Sequence, residues 1–216
     1  MRNAKYIVID GMDGCGKGTQ VALLKQVLDS GAMVHTREPG GTALAEDLRS
    51  MILGNLEVAK STPFNNLLLF FAAREDHLHR LVSPVLKSGR HVFSDRGDSS
   101  TFAFQICGEE NHCLMDVFCI LREQVFLSPG RRCPDLYVIL DLPAGVARKR
   151  VMKDRRREVT HFDARDLGYY KRVRKGFREF ASFVSASVVF VDATKSPQEV
   201  HRLVLAALAT KGIVPK

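Results

Sequence analysis

A glycine-rich segment near the N-terminus holds the residues best suited to bind phosphate. An apolar run at residues 6–9 precedes it and predicts a short buried strand, and a helical pattern follows Lys17. Gly11, Gly14 and Gly16 allow the backbone to curl so that its N–H groups point inward at an anion. Lys17 adds a positive charge beside the positive end of the next helix. The segment predicts a phosphate-binding loop for a nucleoside triphosphate.

The loop departs from the common pattern at one position. Gly18 follows Lys17 where a serine or threonine hydroxyl normally binds magnesium, and Thr19 comes one place later. The sequence GKGTQ resembles the loop of adenylate kinases, which indicates a small kinase that transfers phosphate between nucleotides. A GTPase is disfavoured, because the chain contains no Asn-Lys-x-Asp motif to recognise guanine.

Charged residues also follow two other predicted strands, at residues 32–36 and 91–94. Open α/β sheets bind ligands at the carboxyl ends of their strands. Arg37 is expected there, unless its segment is only a turn rich in Pro and Gly. Asp95 is placed to hold magnesium or its waters, and Arg96 can fork onto a phosphate; the alternative for this pair is a surface salt bridge.

A helix that begins at Ser61-Thr62-Pro63 brings an aromatic and a basic residue to one face. Phe70 and Arg74 are four residues apart, so their side chains are neighbours. The pattern alone favours a core face from which Arg74 extends to solvent, and it leaves a role in binding a nucleotide base open. Pro84 is expected to kink the same helix before it ends at Ser88-Gly89.

Size and composition fit one α/β domain over residues 1–216. Strands and helices alternate, with five strands at 6–9, 32–36, 91–94, 136–140 and 188–191. This pattern predicts a three-layer P-loop NTPase fold, with a five-stranded parallel sheet and helices on both faces. Residues 153–166 are charged and carry almost no apolar periodicity, so we expect a short lid there.

Charge and cysteine content restrict the partners. The net charge is +8, and much of the excess lies in residues 148–178, which fits a lid that clamps phosphates better than a surface for nucleic acid. The chain has no uncharged apolar run of 18 residues and no signal pattern at its start, so we expect a soluble cytoplasmic protein without membrane contact. Five scattered cysteines indicate free thiols, and the spacing of Cys107, Cys113 and Cys119 matches no zinc motif.

These motifs together resemble those of the thymidylate kinases, a family of P-loop nucleoside monophosphate kinases. The resemblance covers nearly the whole chain, and the TREPGGT segment and the Phe-x-x-x-Arg pair are specific to this family. The matching segments are DGMDGCGK at 10–17, TREPGGT at 36–42, LFFAAR at 69–74, DR at 95–96, STFAFQ at 100–105, PDL at 134–136 and DATKS at 192–196.

The resemblance implies transfer of the γ-phosphate of ATP to dTMP, with Mg²⁺ as cofactor, in a homodimer. In such kinases the residue matching Phe70 stacks on thymine, and the one matching Arg74 hydrogen-bonds to it. Phe104 matches an aromatic that disfavours a 2′-hydroxyl. The implied dTMP site is Asp13, Arg37, Glu38, Pro39, Phe70, Arg74, Arg96, Ser100, Thr101, Phe104 and Gln105, and Glu38-Pro39 matches a cis peptide.

The resemblance also implies the donor site and the catalytic groups. Arg150 would lie over adenine, beside the loop at 193–195, and the lid would supply the arginines that the phosphate loop lacks. The implied ATP site is Gly11, Asp13, Gly14, Cys15, Gly16, Lys17, Gly18, Thr19, Arg150, Thr194 and Lys195. The implied catalytic residues are Lys17, Asp13, Arg37, Arg96, Arg155, Arg156 and Arg157, and the implied metal residues are Thr19, Asp95 and Asp13.

Departures from the family pattern leave two other functions open. Gly18 lacks the usual hydroxyl, Gly97 stands where an aromatic or histidine usually follows Asp-Arg, and residues 161–163 lack the usual lid arginine. A kinase with altered or broader acceptor choice, such as dUMP or other deoxynucleotides, is one alternative. A P-loop protein that binds nucleotide without turnover is the other.

Cys15 is either a small filler or a thiol of lowered pKa that is open to oxidation.

Overall fold

A five-stranded parallel sheet forms the centre of the molecule in a computed structural model, which describes residues 4–153 and 165–215. The strands lie in the order β2-β3-β1-β4-β5. This arrangement confirms the predicted α/β fold. The strands are β1 (Tyr6–Gly11), β2 (Met33–Arg37), β3 (His91–Asp95), β4 (Leu136–Asp141) and β5 (Ser187–Asp192).

The order of the strands explains their different composition. β1 and β4 lie in the middle, and every residue of β1 and nearly every residue of β4 is buried. A strand covered by helices on both faces has no polar side, so its sequence is continuously apolar rather than alternating. β5 lies at the edge of the sheet and leaves Phe190 40% exposed.

Helices cover both faces of the sheet, and all those predicted from sequence are present. One short helix, α3, was not predicted. The helices are α1 (Lys17–Val27), α2 (Ala43–Gly54), α3 (Leu56–Ala59), α4 (Pro63–His77), α5 (Ser83–Lys87), α6 (Asp98–Thr101), α7 (Met115–Leu127), α8 (Ala144–Lys153), α9 (Leu167–Phe183) and α10 (Pro197–Ala209).

The helix-start signals have mixed outcomes. The Thr62 hydroxyl accepts a hydrogen bond from the Asn65 N–H at 3.2 Å, at the predicted helix start, and Ser196 and Glu199 form a complete capping box. Thr42 lies at the start of α2 but does not cap it, because its hydroxyl donates to Asp76 instead. A long-range partner has replaced the local one.

Two π-helical segments interrupt the helical layer. Residues Leu78–Val82 connect α4 to α5 just before Pro84, which has no N–H to continue the regular pattern. The predicted kink therefore takes the form of a widened turn. Residues Phe102–Gly108 continue α6 in the same way and carry Phe104 and Gln105, two of the predicted site residues.

The parallel register gathers the charged residues of the motifs at one edge of the sheet. Asp95, the last residue of β3, lies opposite Arg37 of β2 on one side and Ile9 of β1 on the other. Gly11, where the phosphate-binding loop leaves β1, lies opposite Leu140 of β4. The loop, Asp95 and Arg37 thus share the carboxyl edge, where α/β sheets bind ligands.

The predicted lid falls mostly outside the described residues. Of residues 153–166, the structure describes Lys153 at the end of α8 and Arg165 and Asp166 before α9. Arg155, Arg156 and Arg157 lie outside the described part of the chain. Within that part, no helix is both long enough and apolar enough to cross a membrane.

Close packing of α9 against the π-helical segment at Phe102–Gly108 fixes the side of the site that carries Phe104. Gly176 of α9 makes this approach possible, because a Cβ there would lie 2.8 Å from Cys107 Cβ and 2.9 Å from Ala103 Cα. Gly145 in α8 has open space around it, so it is a matched control within the same helical layer.

We expect Gly176→Ala to lower the free energy of unfolding by about 1 kcal/mol or more. Overpacking costs about 1–3 kcal/mol, which exceeds the gain of about 1 kcal/mol from replacing a helical glycine. Gly145→Ala should leave the stability unchanged or raise it by up to about 1 kcal/mol. Urea unfolding measures both variants, and a Gly176→Ala protein as stable as the wild type would contradict the close packing.

Candidate active site

Two cavities open at the carboxyl edge of the sheet, and the larger one surrounds the phosphate-binding loop. Its volume is about 660 Å³. The first turn of α1, the end of β3 and the residues around the start of α10 form its walls. We call it the donor cavity; its lining residues are Asp13, Gly14, Cys15, Gly16, Lys17, Gly18, Thr19, Gln20, Asp95, Arg96, Arg150, Val151, Ala193, Lys195, Pro197 and Val200.

The loop has the backbone geometry that anion binding requires. Gly14 has a φ of +78°, and a Cβ there would lie 2.5 Å from the Ala147 carbonyl oxygen, so only glycine fits. Lys17 Nζ donates to the Gly11 carbonyl at 2.8 Å and to the Met12 carbonyl at 3.1 Å, which holds the ammonium across the loop. The N-terminal end of α1 and the Lys17 ammonium together provide a concentrated positive field for phosphate.

Arg150 and part of the loop after β5 lie together at the donor cavity. Arg150 lines the donor cavity, and its NH1 group lies 3.4 Å from the Gly14 carbonyl oxygen and 3.5 Å from that of Ala193. Lys195 lines the same cavity. Thr194 does not, because its hydroxyl and its N–H both donate to Asp192 Oδ1.

Cys15 is a buried filler of the loop. Its side chain is 3% exposed, and burial raises the pKa of its thiol in spite of the nearby Lys17 and Arg96. The alternative of a thiol with lowered pKa is therefore wrong, because desolvation outweighs the positive charges. The Sγ atom lies beside Gly11, where a larger side chain would disturb the turn.

The donor cavity contains oxygen atoms that suit a magnesium ion. Asp95 Oδ1 is buried and has no hydrogen-bond partner within the described residues, so a cation would satisfy it. Thr19 lines the same cavity. Gly18 provides no hydroxyl, although the space around it is open and a side chain would fit there. The residues present therefore fit a magnesium ion, held with fewer protein ligands than usual.

The smaller cavity, of about 260 Å³, lies on the other side of the loop, between α2, α4 and the start of α6. We call it the acceptor cavity. It contains every residue of the predicted dTMP site except Arg37. Its lining residues are Asp13, Glu38, Pro39, Arg49, Leu53, Phe70, Arg74, Arg96, Gly97, Ser100, Thr101, Phe104 and Gln105.

Arg37 does not line this cavity. Its NH2 group donates to Glu46 at 2.8 Å, and the side chain is 52% exposed. Arg49 of α2 occupies the cavity wall instead and donates to the Pro39 carbonyl at 3.0 Å. Burial lowers the pKa of Arg49, the charges of Arg37 and Arg96 lower it further, and those of Glu46 and Asp95 oppose the shift. A bound anion would relieve the repulsion among the arginines.

Asp13 and Arg96 line both cavities, so they mark the place where the cavities meet. Arg96 NH2 donates to Asp13 Oδ1 at 2.5 Å, and NH1 donates to the Ser100 hydroxyl at 2.9 Å. Arg96 also has a φ of +73°, which is strained for a residue with a side chain. The guanidinium is thus fixed between the two cavities at a cost in backbone energy.

Glu38 and Arg74 form a buried ion pair at the base of the acceptor cavity. Arg74 Nε donates to Glu38 Oε2 at 2.8 Å, and the side chains are 2% and 4% exposed. Burial opposes ionisation of Glu38, but Arg74 and His77 outweigh it and lower its pKa to about 2. The Glu38-Pro39 peptide is cis, as the resemblance implies.

The missing side chain at Gly97 leaves less extra space in the acceptor cavity than expected for a glycine in place of an aromatic residue or a histidine. A Cβ at this glycine would point at β1, 3.1 Å from Val8 Cγ1. A side chain at this position would therefore start towards the sheet. This direction weakens the expectation that Gly97 loosens acceptor selection.

Sequence reasoning missed several cavity residues. Arg49 and Leu53 are four apart on α2, a spacing that places them on one face, but the pattern alone does not say what that face contacts. Gln20 lines the donor cavity, and its amide donates to the Pro197 carbonyl at 2.9 Å. Asp10 accepts hydrogen bonds from the Ser99 and Ser100 hydroxyls and carries no signal beyond its place in the loop motif.

We expect the Glu38 carboxylate to stabilise the fold in a pH-dependent way. Its pKa is lower in the folded chain than the ordinary 4.5, so its contribution of about 3 kcal/mol is present above pH 4.5 and is lost as the pH falls towards 2. Glu38→Gln should lower the free energy of unfolding at pH 7 by about that amount. At pH 4 the difference from the wild type should be about 1 kcal/mol smaller.

Urea unfolding of both proteins at the two pH values measures this difference. Glu123→Gln, on the exposed side of α7, is the control and should change stability by less than about 0.5 kcal/mol. An equal destabilisation by Glu38→Gln at pH 7 and pH 4 would contradict the assigned ionisation.

Comparison with known proteins gives one consistent result. The family model described as thymidylate kinase matches residues 9–204. Among curated relatives, the thymidylate kinase of Kosmotoga olearia is 35% identical, covering 93% of each chain, and that of Trichlorobacter lovleyi is 33% identical, covering 97% of this chain and 99% of the relative.

Solved structures agree with the curated relatives. The crystal structure of thymidylate kinase from Ehrlichia chaffeensis superposes with a TM-score of 0.74 at 27% identity, and covers 95% of this chain and 99% of that one. The family match spans both cavities and the loop between them. The chain belongs to the thymidylate kinase family.

Proposed function

We propose that this protein transfers the γ-phosphate of ATP to dTMP and releases ADP and dTDP. The observation that carries the proposal is the junction of two cavities at Asp13 and Arg96. A kinase that joins two nucleotides must hold both phosphate groups at one point and exclude water as a competing acceptor. A nucleotide-binding protein without turnover would need only the donor cavity.

The donor cavity would hold ATP by its phosphates. The N–H groups of the loop and the first turn of α1 bind the phosphate oxygens, and Lys17 exchanges its carbonyl partners for them. Arg150 and Lys195 line the part of the cavity left for adenosine. This assignment retains the predicted ATP site except for Gly11 and Thr194, which do not line the cavity.

The acceptor cavity would recognise the thymine base with an aromatic face and a fixed donor. Phe70 is half-buried in its wall and offers a surface for stacking. Two nitrogens of Arg74 already donate hydrogen bonds. Nε donates to Glu38, and NH2 donates to the Thr101 hydroxyl at 2.9 Å. Its NH1 group is buried without a partner in the described part of the chain, so a base carbonyl would complete its bonding.

Arginines would bind and stabilise the phosphates in transfer. Arg96 would grip the 5′-phosphate of dTMP at the junction, with Arg49 on the facing wall. Arg37 can contribute only if its side chain leaves Glu46. We retain Arg155, Arg156 and Arg157 as the proposed lid residues that neutralise charge on the transferred group, and all three lie outside the described residues.

Magnesium belongs to this proposal as the cofactor of ATP. Asp95 would hold it or its waters, with Thr19 and Asp13 on the rim of the same cavity. When bound, the ion would neutralise charge on the phosphates of ATP. Asp13 would in addition accept from Arg96 and so keep that guanidinium at the junction.

We further propose a cytoplasmic homodimer. Leu44 and Met51 lie on one exposed face of α2, and Phe64 and Leu68 lie on one exposed face of the adjoining α4. Leu56 of α3 is 70% exposed between them. An apolar surface of this kind suits a second copy of the chain.

All five cysteines are free thiols, which fits a reducing compartment.

Acceptor choice tests the proposed reaction. Initial rates with ATP and magnesium are compared for dTMP, dUMP, dCMP, dGMP and dAMP, and kcat/KM should be highest with dTMP. Arg74 offers a donor to a ring carbonyl of thymine, which disfavours dCMP and dAMP because their rings present an amino group instead. A preference for another nucleotide would select the kinase of altered acceptor choice. No turnover with any of them would favour the protein that only binds nucleotide.

Replacement of the stacking residue should separate the two substrates. Phe70→Ala is expected to raise the KM for dTMP about tenfold, because loss of an aromatic contact costs about 1–3 kcal/mol, while the KM for ATP stays within about twofold. Phe190→Ala, on the edge strand β5 and outside the lining of both cavities, is the control. Equal increases in both KM values would remove Phe70 from the base site.

A further inference from the structure

Arg74 owes its position to a buried group of polar side chains that continues behind the acceptor cavity. Tyr6, Thr36 and His77 do not line the cavity, yet they connect to Arg74 through Glu38. We call these residues the Glu38 network: Tyr6, Thr36, Glu38, Arg74 and His77. Tyr6 and His77 are 0% exposed, so water cannot replace their hydrogen bonds.

The hydrogen bonds of the network pair each donor with an acceptor. The Tyr6 hydroxyl donates to Glu38 Oε1 at 3.2 Å, and His77 Nδ1 lies 3.2 Å from the same oxygen. His77 Nε2 lies 2.8 Å from the Thr36 hydroxyl. An imidazole that carries a proton on Nδ1 satisfies these contacts, since Nδ1 then donates to the carboxylate and Nε2 lies within hydrogen-bonding distance of the Thr36 hydroxyl.

The two carboxylate oxygens of Glu38 therefore have different hydrogen-bond partners. Oε2 accepts from Arg74 Nε at 2.8 Å, while Oε1 is held by Tyr6 and His77. With Oε1 fixed, the plane of the carboxylate is fixed, and so is the direction of the bond to Arg74. The Thr101 hydroxyl accepts from NH2, whereas NH1 has no partner among the described residues and is available to a ligand.

We propose that His77 and Tyr6 are positioning residues for recognition of the acceptor base: they orient Glu38, which presents Arg74 NH1 to the ligand. This inference rests on the proposed function. An arginine side chain has many rotamers, and a site that fixes one of them before the ligand arrives loses less entropy on binding. Without Tyr6 or His77, Glu38 could rotate, and Arg74 would lose its fixed orientation.

The same contacts could serve only the stability of the fold, so the test must separate the two roles. Tyr6→Phe removes one hydroxyl and keeps the ring in the core. His77→Leu removes both imidazole bonds, and His77→Asn returns a donor near the position of Nδ1. Tyr137→Phe is the matched control, because its buried hydroxyl donates to a different carboxylate, Asp98, at 2.7 Å.

Titration calorimetry of each full-length variant with dTMP and with ATP, together with its melting temperature, measures the effect. Tyr6→Phe and His77→Leu should each weaken dTMP binding about 3- to 10-fold and change ATP binding less than about twofold. The ratio of kcat/KM for dTMP over dCMP should fall, because cytosine carries an amino group where thymine carries a carbonyl. His77→Asn should recover most of the loss.

Other results would overturn the inference. If Tyr6→Phe lowers the melting temperature as much as Tyr137→Phe does and leaves dTMP binding unchanged, the network only stabilises the fold. Parallel weakening of dTMP and ATP, or no recovery in His77→Asn, leads to the same conclusion. A wild-type protein that binds ATP but not dTMP would instead overturn the proposed function, and the inference with it.

Discussion

The ion pair between Arg96 and Asp13 is the interaction on which the proposed chemistry depends. It joins the end of β3 to the phosphate-binding loop after β1, which are neighbours only because the two strands are paired in parallel. Burial opposes the charge of Arg96, but Asp13, Asp10 and Asp95 raise its pKa further above the ordinary value. A permanently charged guanidinium therefore stands where two polyanionic ligands would meet.

The two cavities differ in how they achieve selectivity. The donor cavity relies on backbone N–H groups and Lys17, which bind phosphate without regard to the base. The acceptor cavity relies on side chains whose positions are fixed by buried partners, as Arg74 is by Glu38 and Thr101. Phe104 is similarly confined, with its ring 5.9 Å from that of Phe177 in an edge contact. Rigidly packed side chains suit an acceptor cavity that selects one nucleotide. Backbone geometry suits a donor cavity that binds the phosphates of a common nucleotide.

Sequence alone predicted the fold and most of the acceptor cavity, and the reasons are physical. Apolar runs and caps are local signals, so β1, β4 and the start at Thr62 were correct. Periodicity left the role of Phe70 and Arg74 open, and the family motifs are the basis of the role proposed for them. Long-range contacts were beyond such signals: Arg37 pairs with Glu46, and Thr42 donates to Asp76.

Desolvation was a second limit of sequence reasoning. The charges next to Cys15 suggested a lowered thiol pKa, but only the folded structure shows that burial outweighs them. Packing was a further limit. The spacing of Arg49 and Leu53 places both on one face of α2, but the sequence does not show that this face forms a cavity wall. The roles proposed for Arg155, Arg156 and Arg157 remain predictions.

Binding of a linked ligand tests the central claim, that the two cavities form one continuous site, most directly. In this ligand, adenosine and thymidine are joined through their 5′ positions by a chain of five phosphates. Calorimetry should show one ligand per chain, an affinity at least about 100-fold higher than that of dTMP, and competition with both dTMP and ATP. If dTMP still binds to the protein saturated with the linked ligand, the cavities do not meet at Asp13 and Arg96, and the account is contradicted.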